Sequence, residues 1–237
     1  MKYEFTIIVP VYNEEDNLKR VEQELSNYIN IAAKKTKVLF VNDGSKDNSQ
    51  QLIEEICANN HDFSFILFEQ NRGLSAAIAA GFKDVDTELV GYIDSDLQTA
   101  PEDFNLLLKE IGEYDLVTGV RTGRKDSFVK NMSSTIANGI RRAFTNDGMD
   151  DTGCPLKVIK TEYAKNIPMF NGLHRFLPAM ILLQNGKIKQ IPVHHFPRIA
   201  GVAKYGLWNR LVGPLIDCFA YLWMKKKYLN YKIAKKG

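Results

Sequence analysis

The feature of this sequence that most constrains its fold is an alternation, over the first 120 residues, between short apolar runs and segments of helical periodicity. Runs that are apolar at nearly every position are typical of strands covered on both faces of a sheet. Five occur: Phe5–Val9, Val38–Val41, Phe63–Phe68, Leu89–Ile93 and Leu116–Val120. The alternation predicts an α/β fold with a mostly parallel sheet, whose ligands bind at the carboxyl ends of the strands.

Between these runs, apolar residues repeat every three or four positions, which predicts helices. Three stripes are evident: Leu18, Val21, Leu25 and Ile29; Leu52, Ile53, Ile56 and Cys57; and Phe104, Leu107, Leu108 and Ile111. Pro101, followed by two acidic residues, is a good helix start. Farther along, the pattern predicts helices over Phe128–Phe144 and around Phe176–Leu183, with strands at Leu156–Ile159 and Lys189–Val193.

Composition excludes several classes of protein. Hydrophobic residues make up 45% of the chain and charged residues 25%, which excludes a disordered chain, a collagen and a multispanning membrane protein. Three scattered cysteines without a Cys-x-x-Cys spacing argue against a disulfide framework and a zinc knuckle. The apolar run near the N-terminus is too short, and the residues before it are too acidic, for a signal peptide. We therefore expect a protein of the reducing cytosol.

The net charge of +3 is unevenly distributed. Residues 198–237 contain nine Lys or Arg and one Asp, a charge of +8, which leaves −5 for residues 1–197. Such asymmetry predicts that the C-terminal segment meets an anionic surface, either nucleic acid or lipid.

Acidic clusters follow three of the predicted strands, and phosphate-binding glycine fingerprints are absent. The clusters are Asn13–Asp16, Asn42–Asp47 and Asp94–Asp96. Carboxylates at positions i and i+2 suit Mg²⁺ or Mn²⁺, with the remaining positions taken by water and substrate phosphate. An isolated Asp-x-Asp is weak evidence, because turns rich in Asp and Asn are commonly helix caps.

Four segments together, however, resemble the family 2 glycosyltransferases, the nucleotide-diphospho-sugar transferases. They are Ile8–Glu14, Val41–Ser45 with Asp47, Asn71–Leu74 and Asp94–Gln98. Three later segments, Asp151–Gly153, His174–Pro178 and Pro197–Gly206, look like the branch of dolichol-phosphate mannose synthase and bacterial polyprenyl-phosphate glycosyltransferases. The resemblance covers about residues 5–210 and implies a Rossmann-like sheet of the GT-A type. The Gln-x-x-Arg-Trp motif of processive synthases is absent, which counts against polymer synthesis.

The resemblance assigns candidate residues to the donor side. It implies a pocket for the nucleotide-diphosphate sugar, UDP- or GDP-linked, shaped by Pro10, Tyr12, Asn13, Glu14, Asp43, Gly73 and Asp94. Asp94, Asp96 and Gln98 would hold Mg²⁺ or Mn²⁺ at the nucleotide β-phosphate. For Asp43 a turn cap is the alternative, and for Gly73 a simple turn.

On the acceptor side, the resemblance implies a polyprenyl phosphate, undecaprenyl or dolichyl. Asp96 and Asp151 would be the catalytic pair, and the phosphate would be bound by Arg121, Lys130, Arg198 and Lys204. Asp151 is alternatively a structural loop residue, and Arg121 and Lys130 could belong to solvated surface. His174 is interpreted as a structural or pocket residue, and His194 and His195 as strand residues.

The C-terminal segment tests the lipid hypothesis separately. Apolar residues from Trp208 to Trp223 recur at helical spacing, with Asp217 on the opposite side, and Pro214 is expected to split the segment into two helices. The apolar stretch is shorter than the roughly 20 residues of a membrane span. We expect residues 1–206 to form the GT-A domain and residues 207–237 an amphipathic, basic segment on the inner face of the cell membrane. The alternative is a helix packed on the core.

The sequence thus predicts an inverting, metal-dependent glycosyltransferase of cell-envelope biogenesis. One alternative transfers the sugar to a hydroxyl of a glycan or lipid headgroup, with Asp151 as general base. The other is a non-catalytic module that binds nucleotide sugars or nucleic acid, against which the intact Asp94–Asp96 cluster and the lack of aromatic RNA motifs speak. We expect no nucleic-acid partner, and a homo-oligomer is left open.

Overall fold

The computed structural model describes residues 2–122, 139, 141–197, 207–229, 234 and 235, and within residues 207–214 it describes the backbone alone. Seven strands form one sheet: β1 Phe5–Val11, β2 Thr36–Asn42, β3 Phe63–Leu67, β4 Leu89–Tyr92, β5 Leu116–Arg121, β6 Lys157–Lys160 and β7 Ile188–Val193. The helices are α1 Glu15–Ile31, α2 Ser49–Asn59, α3 Leu74–Asp84, α4 Phe104–Glu110, α5 Thr161–Lys165, α6 Leu177–Leu183 and α7 Leu207–Lys227.

The strand order is β3-β2-β1-β4-β6-β5-β7. All neighbouring pairs are parallel except those of β6, which runs antiparallel to both β4 and β5. The predicted mostly parallel α/β sheet is therefore confirmed. Because β2 and β4 lie on opposite sides of β1, the strand order reverses there and opens a crevice at the carboxyl ends of β1 and β4.

Two apolar cores cover the two faces of the sheet. One contains buried side chains of α1, α2 and α4, and the other those of α3, α5, α6 and α7. The three predicted stripes lie in or against the first core, although Leu52, Cys57 and Ile29 are only partly buried. Burial of these stripes, at about 25 cal/mol per Å² of apolar surface, is what holds the helices on the sheet.

Two expectations from the sequence are wrong. The run at Phe63–Phe68 forms strand β3, but β3 is the sheet edge, so Phe65 and Leu67 are exposed rather than covered on both faces. Pro214 does not split the C-terminal helix, since α7 is continuous from Leu207 to Lys227. A proline removes one main-chain N–H donor, and this helix continues through the loss of that bond.

Helix α7 turns an unexpected side toward the body of the protein. Among its residues 215–227, Cys218 and Tyr221 are buried, and the ring of Tyr221 stacks on Phe176 at 5.8 Å. Asp217 also faces the body, close to Gly172 and 3.9 Å from the guanidinium of Arg175. Five exposed apolar residues form an outer stripe on the described part of the helix: Leu215, Ile216, Phe219, Leu222 and Trp223. The ring of Phe219 also meets Phe144 edge-on at 5.3 Å. Helix α7 therefore packs on the second core through Cys218 and Tyr221, as the alternative expected, but its outer stripe does not. Contact of that stripe with a membrane stays a prediction.

No helix in the described part of the chain is both long and apolar enough to cross a membrane. The division of the chain at residue 206 stays a prediction. The predicted helix over Phe128–Phe144 lies largely outside the described residues, which include a helical stretch at 141–145.

Candidate active site

The loops that follow β1 and β2 are tied to each other at the crevice. The main-chain N–H of Asn13 donates to Ser45 Oγ at 2.9 Å, and the Asn13 side-chain oxygen accepts the N–H of Lys46 at 2.8 Å. The N–H of Glu14 donates to Ser49 Oγ at 2.9 Å. Asn13 has a φ of 51°, a left-handed conformation that asparagine tolerates better than most residues. The structure thus brings Asn13 and Glu14 together with the loop after β2.

Asp43 organises a third loop. Its carboxylate accepts hydrogen bonds from the side chain of Asn71 at 2.8 Å and from the main-chain N–H groups of Arg72 at 2.6 Å and Gly73 at 2.8 Å. Gly73, with a φ of 88°, leads directly into α3. Asp43 is buried and holds the loop that follows β3. Its predicted contact with the nucleotide base stays a prediction.

A cavity of about 530 Å³ lies beside these loops. Tyr12 lines it together with the loop after β2, the start of α2, and the end of β3 with the loop that follows it. The residues are Gly44, Ser45, Lys46, Gln50 and Leu67–Asn71. This volume is within the range of small-molecule sites. Pro10 lies one position before the end of β1, paired with Val41, and shapes the strand rather than the loop.

The acidic turn after β4 is held by long-range contacts. Leu97 has a φ of 45°, and its N–H donates to the carbonyl of Asp94 at 3.1 Å. The N–H of Gln98 donates to a carboxylate oxygen of Asp96 at 3.3 Å. Arg20, on α1, donates to the carbonyl oxygens of Asp96 and Leu97 at 3.4 and 3.3 Å. A non-glycine residue in this conformation costs about 1–3 kcal/mol, and such residues cluster at active sites.

Residues just beyond β7 hold the same turn from the other side. The main-chain N–H of Phe196 donates to the carbonyl of Gln98 at 2.8 Å, and Gln98 Nε2 donates back to the carbonyl of Phe196 at 3.3 Å. Nδ1 of His195 lies 3.1 Å from the same Gln98 carbonyl. The N–H of His194 donates to the buried carboxylate of Asp103 at 2.7 Å. β7 ends at Val193, so the interpretation of His194 and His195 as strand residues is wrong.

Asp151 and Arg121 form one ion pair that is mostly buried. The Nε and Nη2 atoms of Arg121 donate to the two carboxylate oxygens of Asp151 at 2.7 and 2.8 Å. Burial lowers the pKa of Arg121, but the adjacent Asp151 carboxylate outweighs it and the pKa is raised. Such bidentate pairs are among the strongest and most directional in proteins. Asp151, predicted as a catalytic residue, and Arg121, predicted as a phosphate ligand, are therefore partners.

The remaining predicted acceptor residues, Lys130, Arg198 and Lys204, lie outside the described residues. The segment that leads to Arg198 is described up to Pro197 and is anchored at the Asp94–Gln98 turn through Phe196. His174 contacts Ser75 Oγ through Nδ1 at 2.8 Å. Burial, together with the charges of Arg175 and Lys157, lowers its pKa to about 3. These contacts agree with its interpretation as a structural or pocket histidine.

The oxygen atoms at the acidic turn fit a divalent cation whose remaining ligands come from a bound substrate. Among the described residues, no three His, Cys, Asp or Glu side chains are grouped as a metal site. Asp94 is partly exposed and Asp96 is nearly buried. Hard oxygen ligands limited to one or two carboxylates are typical of Mg²⁺ bound with substrate phosphates.

Comparison with known proteins agrees with this geometry. The family model for glycosyl transferase family 2 matches residues 6–167. The match spans more than half of the chain, which therefore belongs to glycosyl transferase family 2. This membership confirms the predicted enzyme class and the four-segment resemblance.

Solved structures show the same fold. Glucosyl-3-phosphoglycerate synthase from Mycobacterium tuberculosis, in complex with Mn²⁺, UDP and glucosyl-3-phosphoglycerate, is 14% identical with a TM-score of 0.72, covering 96% of this chain and 81% of that one. A mannosyltransferase from Pyrobaculum calidifontis, in complex with GDP-Man and Mn²⁺, is 18% identical with a TM-score of 0.65. The match covers 93% of this chain and 64% of that one. At these identities the likeness is one of fold, and it confirms the GT-A architecture.

Proposed function

We propose that this enzyme transfers a sugar from a nucleoside-diphosphate donor to a polyprenyl phosphate at the cytoplasmic face of a membrane, with inversion at the anomeric carbon. The observation that carries the proposal is the position of the Asp94–Gln98 turn at the strand-order reversal. There the turn is bonded both to α1 and to the segment that leads to Arg198.

The donor half of the proposal is supported by the cavity and the tied loops. The nucleoside would lie in the cavity beside Tyr12 and Gly44, and its diphosphate would point toward Asp94 and Asp96. Two fold neighbours were solved with Mn²⁺ and a nucleotide, UDP in one and GDP-Man in the other. We propose that Asp94, Asp96 and Gln98 hold Mg²⁺ or Mn²⁺, which when bound would stabilise the charge of the departing diphosphate.

In the transfer itself, an acceptor oxygen attacks the anomeric carbon as the bond from that carbon to the diphosphate breaks. The nucleoside diphosphate leaves with the electron pair, so a single displacement inverts the configuration. A lipid monophosphate, with a second pKa near about 6, is largely dianionic at neutral pH and needs no general base. The chain's own task is therefore to orient two anions and exclude water.

The acceptor half is supported by the basic residues and by helix α7. Arg121 lies at the end of β5 beside Asp151, and we propose that Lys130, Arg198 and Lys204 add the charge that binds the lipid phosphate. The outer stripe of α7 and the lysines 225–227 at its end offer an apolar and cationic surface to a lipid leaflet. These features favour the polyprenyl-phosphate branch of the family.

The alternative acceptor is a hydroxyl, as the phosphoglycerate complexes of a fold neighbour illustrate for that enzyme. In that reaction Asp151 would serve as general base. Both of its carboxylate oxygens already accept hydrogen bonds from Arg121, which leaves them less available to take a proton. The geometry therefore favours an acceptor that is ionised before it binds.

The decisive experiment incubates the enzyme with radiolabelled UDP- and GDP-sugars, with Mn²⁺ or Mg²⁺, with and without undecaprenyl phosphate. We expect one sugar per lipid, joined through a phosphodiester with inverted configuration at the anomeric carbon.

Asp96→Asn should reduce turnover by about 100-fold or more, while the fold is retained. Asp86→Asn is the matched control, since Asp86 lies exposed before β4 at the opposite end of the sheet. Long polysaccharide products, or transfer only to a hydroxyl acceptor, would contradict the proposal.

A further inference from the structure

Lys157 is a lysine whose side chain has no exposed surface, at the start of β6. Its Nζ donates to Tyr92 Oη at 3.3 Å, to the carbonyl of Thr152 at 3.2 Å and to the carbonyl of Cys154. It also lies 5.3 Å from the centre of the Tyr92 ring. An ammonium group has three N–H donors, so these three oxygens account for all of them.

Stability alone does not explain a buried ammonium here. Burial lowers the pKa of Lys157 to about 8, so the group is still mostly charged at neutral pH. Removing a charge from water is costly, and an apolar side chain of similar volume often gives a protein that is equally or more stable. What the ammonium adds is a geometric constraint, because its three acceptor oxygens must all lie within hydrogen-bond distance of one nitrogen.

One of those oxygens belongs to β4, which leads to the proposed donor side of the site. The other two belong to the loop after Asp151, on the proposed acceptor side. In the sheet, Lys157 pairs with Tyr92 on β4 and with Thr118 on β5. Two residues after Tyr92 is Asp94, which begins the acidic turn, and three residues after Thr118 is Arg121. Thr152 and Cys154 follow Asp151, the partner of Arg121. The ammonium therefore connects β4 directly to the loop that contains Asp151.

We propose that Lys157 is a positioning residue that fixes the Asp151–Arg121 pair at a set distance from the Asp94–Gln98 turn. It contacts no substrate itself. It acts by holding the 151–154 loop against Tyr92, so that the acceptor bound near Arg121 faces the donor bound near Asp94. The inference rests on the proposed function for the roles of the two sides, but the contacts of the lysine do not depend on it.

Lys157→Met tests the proposal, because methionine fills a similar volume without donors. We expect kcat to fall by about 10- to 100-fold, as when reacting groups are misplaced by about 1 Å, with the KM of the nucleotide sugar unchanged within about twofold. Tyr92→Phe keeps the lysine and removes one acceptor, so it should give a smaller fall of the same kind. Lys160→Met is the matched control, since Lys160 lies on the same strand but pairs with Asp115.

A substrate-free measurement separates this proposal from the proposed function. Hydrogen–deuterium exchange of peptides covering residues 150–156 should be faster in Lys157→Met and Tyr92→Phe than in the wild type and in Lys160→Met. If wild-type enzyme transfers no sugar to undecaprenyl phosphate, the proposed function fails while the exchange data still decide on Lys157. Unchanged exchange in both variants, or a rise in donor KM without a fall in kcat, would overturn the positioning role. If Lys157→Met does not fold, Tyr92→Phe carries the test.

Discussion

Gly44 sets how closely the loops after β2 and β3 approach each other. Its φ is 66°, and an added Cβ would lie 2.5 Å from the carbonyl carbon of Gln70 and 2.7 Å from the nitrogen of Asn71. The neighbouring Asp43 then receives the N–H donors of residues 72 and 73. The close approach and the carboxylate work together, since the loop can reach Asp43 only when nothing fills the space beside Gly44.

Gly44→Ala should therefore destabilise the protein by about 2 kcal/mol or more and weaken the binding of UDP or GDP. Urea unfolding and nucleotide titration would measure the two effects. Gly148→Ala is the matched control, because Gly148 has a φ of 68° but no described atom within 4 Å of an added Cβ. It should lose about 1 kcal/mol from backbone strain alone and bind nucleotide normally. Equal effects of both substitutions would show that the close approach is unimportant.

His174 should make folding stability fall in acid. Its pKa in the folded protein is about 3, because burial and the charges of Arg175 and Lys157 lower it from its ordinary value of 6.5. Between pH 6.5 and 3 the unfolded chain therefore binds a proton that the folded protein does not. Stability should fall as the pH is lowered through that window, by up to about 1.4 kcal/mol per pH unit from this residue.

The measurement is urea unfolding of wild type and His174→Gln at pH 7 and pH 5. Wild type should lose more stability than the variant over that interval, whereas His61→Gln, at an exposed position, should behave like wild type. Identical losses in wild type and His174→Gln would mean that the pKa of His174 is not lowered in the folded protein.

The residues of the site differ in how far the sequence reveals them. Asn13, Asp43, Asp94 and Asp96 were predictable because they follow apolar runs in a recognisable order. Arg20 was not, because its partners at residues 96 and 97 are 76 and 77 positions away. The same holds for the bond of His194 to Asp103, 91 positions apart. Partners of this kind follow from the packing of the sheet and leave no local pattern.

Among the elements, α7 shows what periodicity can and cannot predict. The sequence predicted an amphipathic helix, and the helix is present. Periodicity alone does not say which side meets the protein, because an apolar stripe suits a core and a lipid surface equally. Here Asp217 fits beside Gly172 and Arg175, and the stacked pair of Tyr221 and Phe176 completes that contact. These contacts fix which side of α7 meets the body of the protein, and the outer stripe therefore faces away from it.

We expect α7 to bind anionic vesicles through the outer stripe and its lysines. Each lysine near the leaflet should contribute about 1 kcal/mol. Raising the salt from 0.1 M to 1 M shortens the screening length from about 10 Å to about 3 Å and should weaken binding. Co-sedimentation with phosphatidylglycerol vesicles and the fluorescence of Trp223 would measure this binding. We expect the emission of Trp223 to shift to the blue on binding and to stay partly shifted at high salt.

Substitutions separate the two contributions. Ile216→Ser with Trp223→Ser should weaken binding at all salt concentrations, and Lys225→Gln, Lys226→Gln and Lys227→Gln together should remove most of its salt dependence. Ile31→Ser is the control, since Ile31 is an equally exposed apolar residue on α1. An equal loss from Ile31→Ser, or no vesicle binding by the wild type, would contradict the membrane role of α7.

In the molecule as a whole, the sheet joins the proposed donor side and the proposed acceptor side, which differ in construction. The proposed donor loops follow β1, β2 and β4, which are adjacent and parallel in the sheet. The sequence predicted this half well because apolar runs and helical segments alternate regularly in it. The acceptor side depends on β6, which enters antiparallel between β4 and β5. Antiparallel insertion was not predictable, because a strand of four residues does not encode its direction in its sequence.

The insertion of β6 also has a consequence for the order of folding. Strands β3, β2, β1 and β4 lie within the first 92 residues, so they can associate as soon as that part has been synthesised. β5 has no place beside β4 until residues 157–160 arrive to separate them. Because contacts between distant parts of a chain form slowly, the acceptor side should be the last part to form. Until then β4 exposes an unpaired edge, which gives the nascent chain a period of vulnerability to aggregation.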